Sequence, residues 1–184
     1  GSTHLIGHSF GATAALRLAV ERPDLVNRLT LIEPVYFAAA KSTAEHARYA
    51  KAFRPFVGAM LTGDEARAAE VFNDLWGAVP WSGIPARMQE RLIRRIHLAV
   101  ASGGAVEEDA TGITSADRLG ALDTPVTLIR GADTQPVIAA IHSALVSRIP
   151  NATDHEIAGA AHMVAMTHVA EVAAIIRSAD QETD

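Results

Sequence analysis

The sequence predicts an α/β fold, a parallel β-sheet flanked by helices and interrupted by a long helical insertion. Three observations predict it. Within the first 35 residues a short apolar segment, an Ala- and Leu-rich segment and a second apolar segment follow one another. An Ala-rich, charged stretch with helical spacing then fills residues 36–122. From residue 123 the alternation of apolar and helical segments resumes to the C-terminus. With 184 residues and 49% hydrophobic content, the chain has enough apolar material for one sizeable core.

Each element has a local reason. Thr3 to Ile6 is short, apolar and bounded by Gly7, which predicts a buried strand, and Phe10 to Glu21 predicts a helix stopped by Pro23. Arg28 to Ile32 is a second strand, ending at Glu33-Pro34. A strand–helix–strand unit of this length implies neighbouring parallel strands. Helical spacing then runs over Thr43 to Phe56, Asp64 to Trp76 and Pro85 to Ala101. Trp76 to Trp81 and Ser102-Gly103-Gly104 read as turns. In the last third, Pro125 to Arg130 and Ala152 to Ile157 are strands, Pro136 to Arg148 and Val169 to Ser178 helices, and a polar tail follows Ala179. The boundaries that follow are core at 1–35, helical insertion at 36–122 and core at 123–184.

Composition excludes several functions. A net charge of −5 with no run of Lys or Arg gives no footprint for a phosphate backbone, so no nucleic acid partner is expected. The absence of Cys removes disulfides, zinc-thiolate sites and thiolate chemistry. No stretch approaches the roughly 18 to 20 apolar residues of a membrane span, so a soluble protein with no membrane partner and a cytoplasmic location is the expectation. No cofactor and no metal ion is expected, and the sequence leaves the oligomeric state open. The chain opens at Gly1-Ser2 without Met and reaches a site motif within seven residues, so a preceding segment is expected. Gly1-Ser2 also fits a cloning remnant.

That motif is Gly7-His8-Ser9-Phe10-Gly11, a G-x-S-x-G pentapeptide between a predicted strand and a predicted helix. A serine nucleophile has to stand on a turn tight enough to lift its Oγ above the sheet, and glycine is expected on both sides to avoid collision with the neighbouring chain. The Phe10 N–H then opens the helix, where free amides favour developing negative charge, and is the candidate oxyanion donor. His8 reads as packing or hydrogen bonding beneath the turn. A base belongs on a loop after a late strand, and Gly159-Ala160-Ala161-His162-Met163 supplies His162 there. His4 and His155 fall in strands, His46, His97 and His142 on helices, and His168 at the start of the last helix. The acid that orients the imidazole has two candidates at strand ends, Asp133 after Pro125 to Arg130 and Glu33 after Arg28 to Ile32.

On these residues the chain resembles the α/β-hydrolase superfamily. The segment from Gly7 to Pro34 is similar to its nucleophile elbow, following helix and sixth strand, and Pro125 to Asp133 and Ile157 to His168 are similar to its acid and base loops. Matching residues are Gly7, Ser9, Gly11, Gly131 and His162. The resemblance implies the C-terminal part of that fold with residues 36–122 as a variable helical cap. The sequence departs from the family twice. The acid commonly stands three residues after the loop glycine, and that position is Thr134 here. The family's first strands, with the loop giving the second oxyanion N–H, would precede Gly1, so the stretch shown is not expected to complete the site.

A serine nucleophile points to acyl transfer to water and hence to hydrolysis of a small ester, thioester or amide substrate, since opening an epoxide or haloalkane needs a carboxylate. Carbon–carbon bond hydrolysis uses the same three groups and is the alternative. An acyl-carrier acyltransferase fits the element order less well, and an inactive ligand-binding relative is the non-enzyme alternative. Trp76 and Trp81 are candidate substrate-binding residues in the insertion, with Phe56, Met60 and Phe72 beside them, and a helix-packing core is the competing reading for all five.

Overall fold

A computed structural model describes residues 2–181. The chain starts with β1 (Thr3–His8), α1 (Phe10–Glu21) and β2 (Val26–Ile32). Six helices follow: α2 (Ala44–Leu61), α3 (Glu65–Trp76), α4 (Ala86–Ile93), α5 (His97–Ala101), α6 (Gly103–Val106) and α7 (Ala116–Gly120). Then come β3 (Val126–Gly131), α8 (Pro136–Val146), β4 (Ala152–Ile157), α9 (Val164–Thr167) and α10 (Val169–Gln181). The four strands make one parallel sheet in the order β1-β2-β3-β4. This is the predicted α/β class. Among the described residues no helix is long and apolar enough to cross a membrane.

Side-chain alternation explains the layers. Leu29 and Leu31 of β2 and Val126 and Leu128 of β3 share one core with Leu16 of α1 and Ile138, Ile141 and Leu145 of α8. Ile32 and Ile129 point to the other face and pack with Val164 of α9 and Val172 of α10. The inner strands are therefore apolar almost throughout, because helices cover both faces. Each fully buried Leu or Ile contributes about 1.5–3 kcal/mol. A third cluster, Phe56, Ala59, Ala68, Ala69, Val71 and Ile96, joins α2 and α3 to the turn after α4.

The helical insertion departs from the sequence reading in several places. Thr43 and Asp64 are caps rather than first helical residues, their side chains accepting from the His46 and Arg67 N–H groups. The helix after Thr43 runs on to Leu61 with Pro55 inside it. The single helix predicted over Pro85 to Ala101 is two, broken between Ile93 and His97, and Gly103 forms a helical turn instead of a loop. The one-turn α9 carries no sequence signal, yet Val164 is fully buried and anchors the chain just after His162. At the C-terminus α10 continues to Gln181. Gly1 and residues 182–184, the end of the polar tail, lie outside the described residues.

Two glycines fix the ends of the strands. A Cβ on Gly7 would stand 2.4 Å from the Gly11 carbonyl oxygen and 2.6 Å from the Ala12 Cα, so α1 turns back directly over β1. A Cβ on Gly131 would stand 2.1 Å from the Ala160 carbonyl oxygen, which lets the loop of residues 158–163 lie on the end of β3. Gly11 corrects the expectation of glycine on both sides of the turn, because nothing lies within 4 Å of a Cβ there. Gly7→Ala is expected to destabilise by about 3 kcal/mol, since backbone cannot yield as a side chain does. Gly11→Ala is expected to be neutral or to stabilise by up to about 1 kcal/mol, alanine being the better helix former. Urea unfolding of the two variants checks the contrast.

Candidate active site

The C-terminal ends of β1, β2 and β3 lie side by side, and the site is built on the residues that follow them. Ser9 N–H donates to the Ile32 carbonyl at 2.9 Å and Glu33 N–H to the Ile129 carbonyl at 2.9 Å, so both residues are still held by the sheet. Both then leave it in the left-handed region, with φ of 56° at Ser9 and 49° at Glu33. Non-glycine residues in such conformations cost of order 1–3 kcal/mol and gather at functional sites. The turn at Ser9 feeds straight into α1, and the Ser9 carbonyl takes the first helical bonds, from the Ala12 and Thr13 N–H groups. The Phe10 N–H, in that first turn, has no acceptor among the described residues.

His162 is brought to Ser9 from the far end of the sequence. Its Nε2 is 3.0 Å from Ser9 Oγ, and its Nδ1 is 2.9 Å from Glu33 Oε2. The imidazole is buried, and its ring centroid lies 4.7 Å from the Trp76 ring at 60°. The backbone of its loop is fixed by Asp133 N–H donating to the Ala160 carbonyl at 2.8 Å and by the close approach of Gly131.

Glu33 is fully buried and its carboxylate is saturated with donors. Gly131 N–H donates to Oε1 at 2.7 Å, Thr134 Oγ1 donates to Oε2 at 2.6 Å, and His162 adds the third bond. Burial pushes the carboxyl toward the neutral form, but the bonds from His162, Thr134 and Gly131 outweigh it and hold the pKa below the usual value. Of the two carboxylates considered from sequence, Glu33 meets the imidazole, whereas Asp133 is exposed and bonds to this group only through its own N–H, to Ala160. Thr134, at the position where the resemblance expects an acid, instead donates to the acid across the strand.

The two tryptophans separate. Trp76 ends α3, is buried, and packs on His162, Phe37 and Tyr49. Trp81 is half-buried against the α2–α3 cluster, in company with Met60 and Phe72, and Phe56 sits in that cluster's centre, which is the helix-packing alternative for these residues. A cavity of about 190 Å³ lies beside Phe10, walled by Thr13, Ala14, Arg17, Tyr36 and Thr111, and neither Ser9 nor His162 lines it. Among the described residues no group of three or more His, Cys, Asp or Glu side chains is disposed to hold a metal ion.

The depressed pKa of Glu33 carries a stability consequence. A carboxyl that ionises lower when folded contributes stability above its ordinary pKa and loses it as pH falls through the folded value. Urea unfolding across the acid range is expected to show stability falling below about pH 4, and Glu33→Gln is expected to flatten that part of the curve. An unchanged acid slope in the variant counts against the assignment.

A family model described as alpha/beta hydrolase fold matches residues 1–169. Among curated proteins no sequence match is found. Among solved structures, a thermophilic esterase is 19% identical with a TM-score of 0.67, covering 99% of this chain and 67% of its own. The carboxylesterase CesB of Bacillus subtilis is 16% identical with a TM-score of 0.62, covering 96% of this chain and 59% of its own. A meta-cleavage product hydrolase of Pseudomonas fluorescens IP01 is 14% identical with a TM-score of 0.58, covering 100% of this chain and 66% of its own. The chain thus spans about two thirds or less of the length of these proteins, and at such identities the likeness is one of fold. The family match over most of the sequence, on a parallel sheet with its site at the strand ends, makes the chain a member of the alpha/beta hydrolase fold family.

Proposed function

We propose that this chain carries the nucleophile, base and acid of a serine hydrolase that cleaves a small carboxylic ester, thioester or amide through an acyl-enzyme. One observation carries the reading, the continuous line from Ser9 Oγ through both nitrogens of His162 to Glu33 Oε2, with links of 3.0 Å and 2.9 Å. A carboxylate only accepts, so the proton of the neutral imidazole belongs on Nδ1 and Nε2 is left to accept from the Ser9 hydroxyl. The left-handed backbone at Ser9 and Glu33 supports an active site over an inactive relative, because such strain persists where the surrounding structure enforces it.

In this reading Ser9 Oγ attacks the carbonyl carbon while its proton passes to His162 Nε2. The carbonyl π electrons move onto oxygen, where the Phe10 N–H at the start of α1 is a donor. Collapse expels the leaving group, which takes the proton from Nε2, and water repeats the sequence on the acyl-enzyme. Glu33 stays ionised and stabilises the imidazolium. Residues 36–122 act as the cap that sets substrate choice, with Trp76 at its contact with the base. Carbon–carbon bond hydrolysis is the second reading, because it uses the same three groups and a meta-cleavage product hydrolase shares the fold.

Labelling with a fluorophosphonate followed by intact mass tests the nucleophile. Modification at Ser9, and its loss in Ser9→Ala together with several orders of magnitude in ester turnover, are the expected results. An unlabelled wild-type protein overturns the reading. A panel of aryl esters and β-diketones then separates the two chemistries.

The acid is tested by unequal amide substitutions. Glu33→Gln is expected to lower kcat on the order of 10⁴-fold, since the wrong imidazole tautomer is then favoured. Asp133→Asn is expected to stay within a few fold of wild type, its carboxylate being exposed. Comparable losses in both variants contradict a single acid at position 33.

A further inference from the structure

His8 stands at the base and has no task in the mechanism above. It is the last residue of β1, in register with Ile32 of β2, so it shares the strand ends with Ser9 and Glu33. Its Nε2 lies 2.9 Å from the backbone carbonyl oxygen of His162, and the two imidazole rings are 5.2 Å apart between centroids. A carbonyl only accepts, so Nε2 of His8 carries a proton and donates it. The ring is half-buried, and that burial lowers its pKa further than the bond to the His162 carbonyl raises it.

We propose that His8 is a positioning residue, a main-chain clamp that ties the backbone of the base to the strand carrying the nucleophile and so fixes the Ser9–His162 separation. The proposal rests on the serine-hydrolase reading. The loop bearing His162 is also held by the end of β3, through Gly131 and the Asp133 N–H, by Glu33 at the end of β2 and by the burial of Val164. The His8 side chain joins the loop to β1, and its bond reaches the backbone of His162 itself. Neutrality also suits the place. His162 becomes positive in every turnover, and a second charged ring 5.2 Å away would oppose that charge. A Lys or Arg at position 8 could donate the same bond but would bring the charge with it.

The experiment compares wild type, His8→Ala and His8→Gln in three measurements. These are the rate of Ser9 modification by a fluorophosphonate, kcat and KM on an aryl ester, and the melting temperature. The Gln amide N–H reaches about as far as an imidazole Nε2 and does not titrate. A misplacement of about 1 Å can cost on the order of a hundredfold in rate, so His8→Ala is expected to lose tenfold to a hundredfold in labelling rate and in kcat, with KM little changed. His8→Gln is expected to recover most of that loss. In the wild type, ¹⁵N–¹H spectra near neutral pH are expected to show His8 as the Nε2–H tautomer. Labelling in His8→Ala at the wild-type rate overturns the proposal, as does a Gln variant that regains the melting temperature of wild type without regaining its rate. An Nδ1–H tautomer also overturns it. An unlabelled wild type is a different result, since it removes the serine nucleophile and the clamp's purpose together.

Discussion

A buried carboxylate can only accept, and the arrangement at the strand ends depends on that. Glu33 has no exposed surface, and removing an ion from water costs several kcal/mol unless its lone pairs are met. Here a backbone N–H and a hydroxyl from the end of β3 and an imidazole N–H from the loop after β4 meet them. Because all three partners must donate, the imidazole tautomer, the hydroxyl orientation of Thr134 and the direction of the Ser9 hydroxyl follow in turn. Charge-assisted bonds of this kind are roughly twice as strong as neutral ones, which is how a depressed pKa survives complete burial.

The parallel sheet supplies the geometry for this. Strands running the same way end on the same edge, so residues distant in sequence become neighbours without any long loop. Ser9 and Glu33 each follow their strand by one residue, keep one bond to the adjacent strand, and turn out with a positive φ. His162 arrives from beyond β4, and its loop fits against β3 only because position 131 has no side chain. The chemistry is thus tied to the sheet by main-chain contacts, and the side chains are left free to face one another.

The succession of strands and helices around the site and the serine turn were legible in the sequence, since apolar runs, Gly7 and the helical stretch from Phe10 to Glu21 are all local signals. The place of His162 after the last strand is a local signal too, and its ring stands 3.0 Å from Ser9 Oγ. The choice between Glu33 and Asp133 was not legible. It turns on how the end of β2 stands to the loop after β3, a tertiary relation that neither segment encodes alone. Thr134 held the one clue, as a hydroxyl where an acid is common. The helical insertion was read less well, because α4 and α5 are set by packing onto the α2–α3 cluster and α6 and α7 by packing onto the main core, and a proline inside a helix or a glycine opening one defeats composition-based punctuation. Trp76 and Trp81 looked alike for the same reason, though one lies on His162 and the other packs against the α2–α3 cluster.

The bond between Thr134 and Glu33 also bears on how such a site changes over generations. Positions 33 and 134 lie on two adjacent strand ends and meet at one carboxylate oxygen. A lineage that moved its acid from one position to the other by single replacements would pass through one of two intermediates. One holds two acids within hydrogen-bond reach of each other, one of them at the fully buried position 33, where like charges force one to stay protonated. The other holds none. If Glu33 is the acid, as proposed, both intermediates orient the imidazole poorly, and a chain with glutamate at 33 and threonine at 134 is expected to keep both.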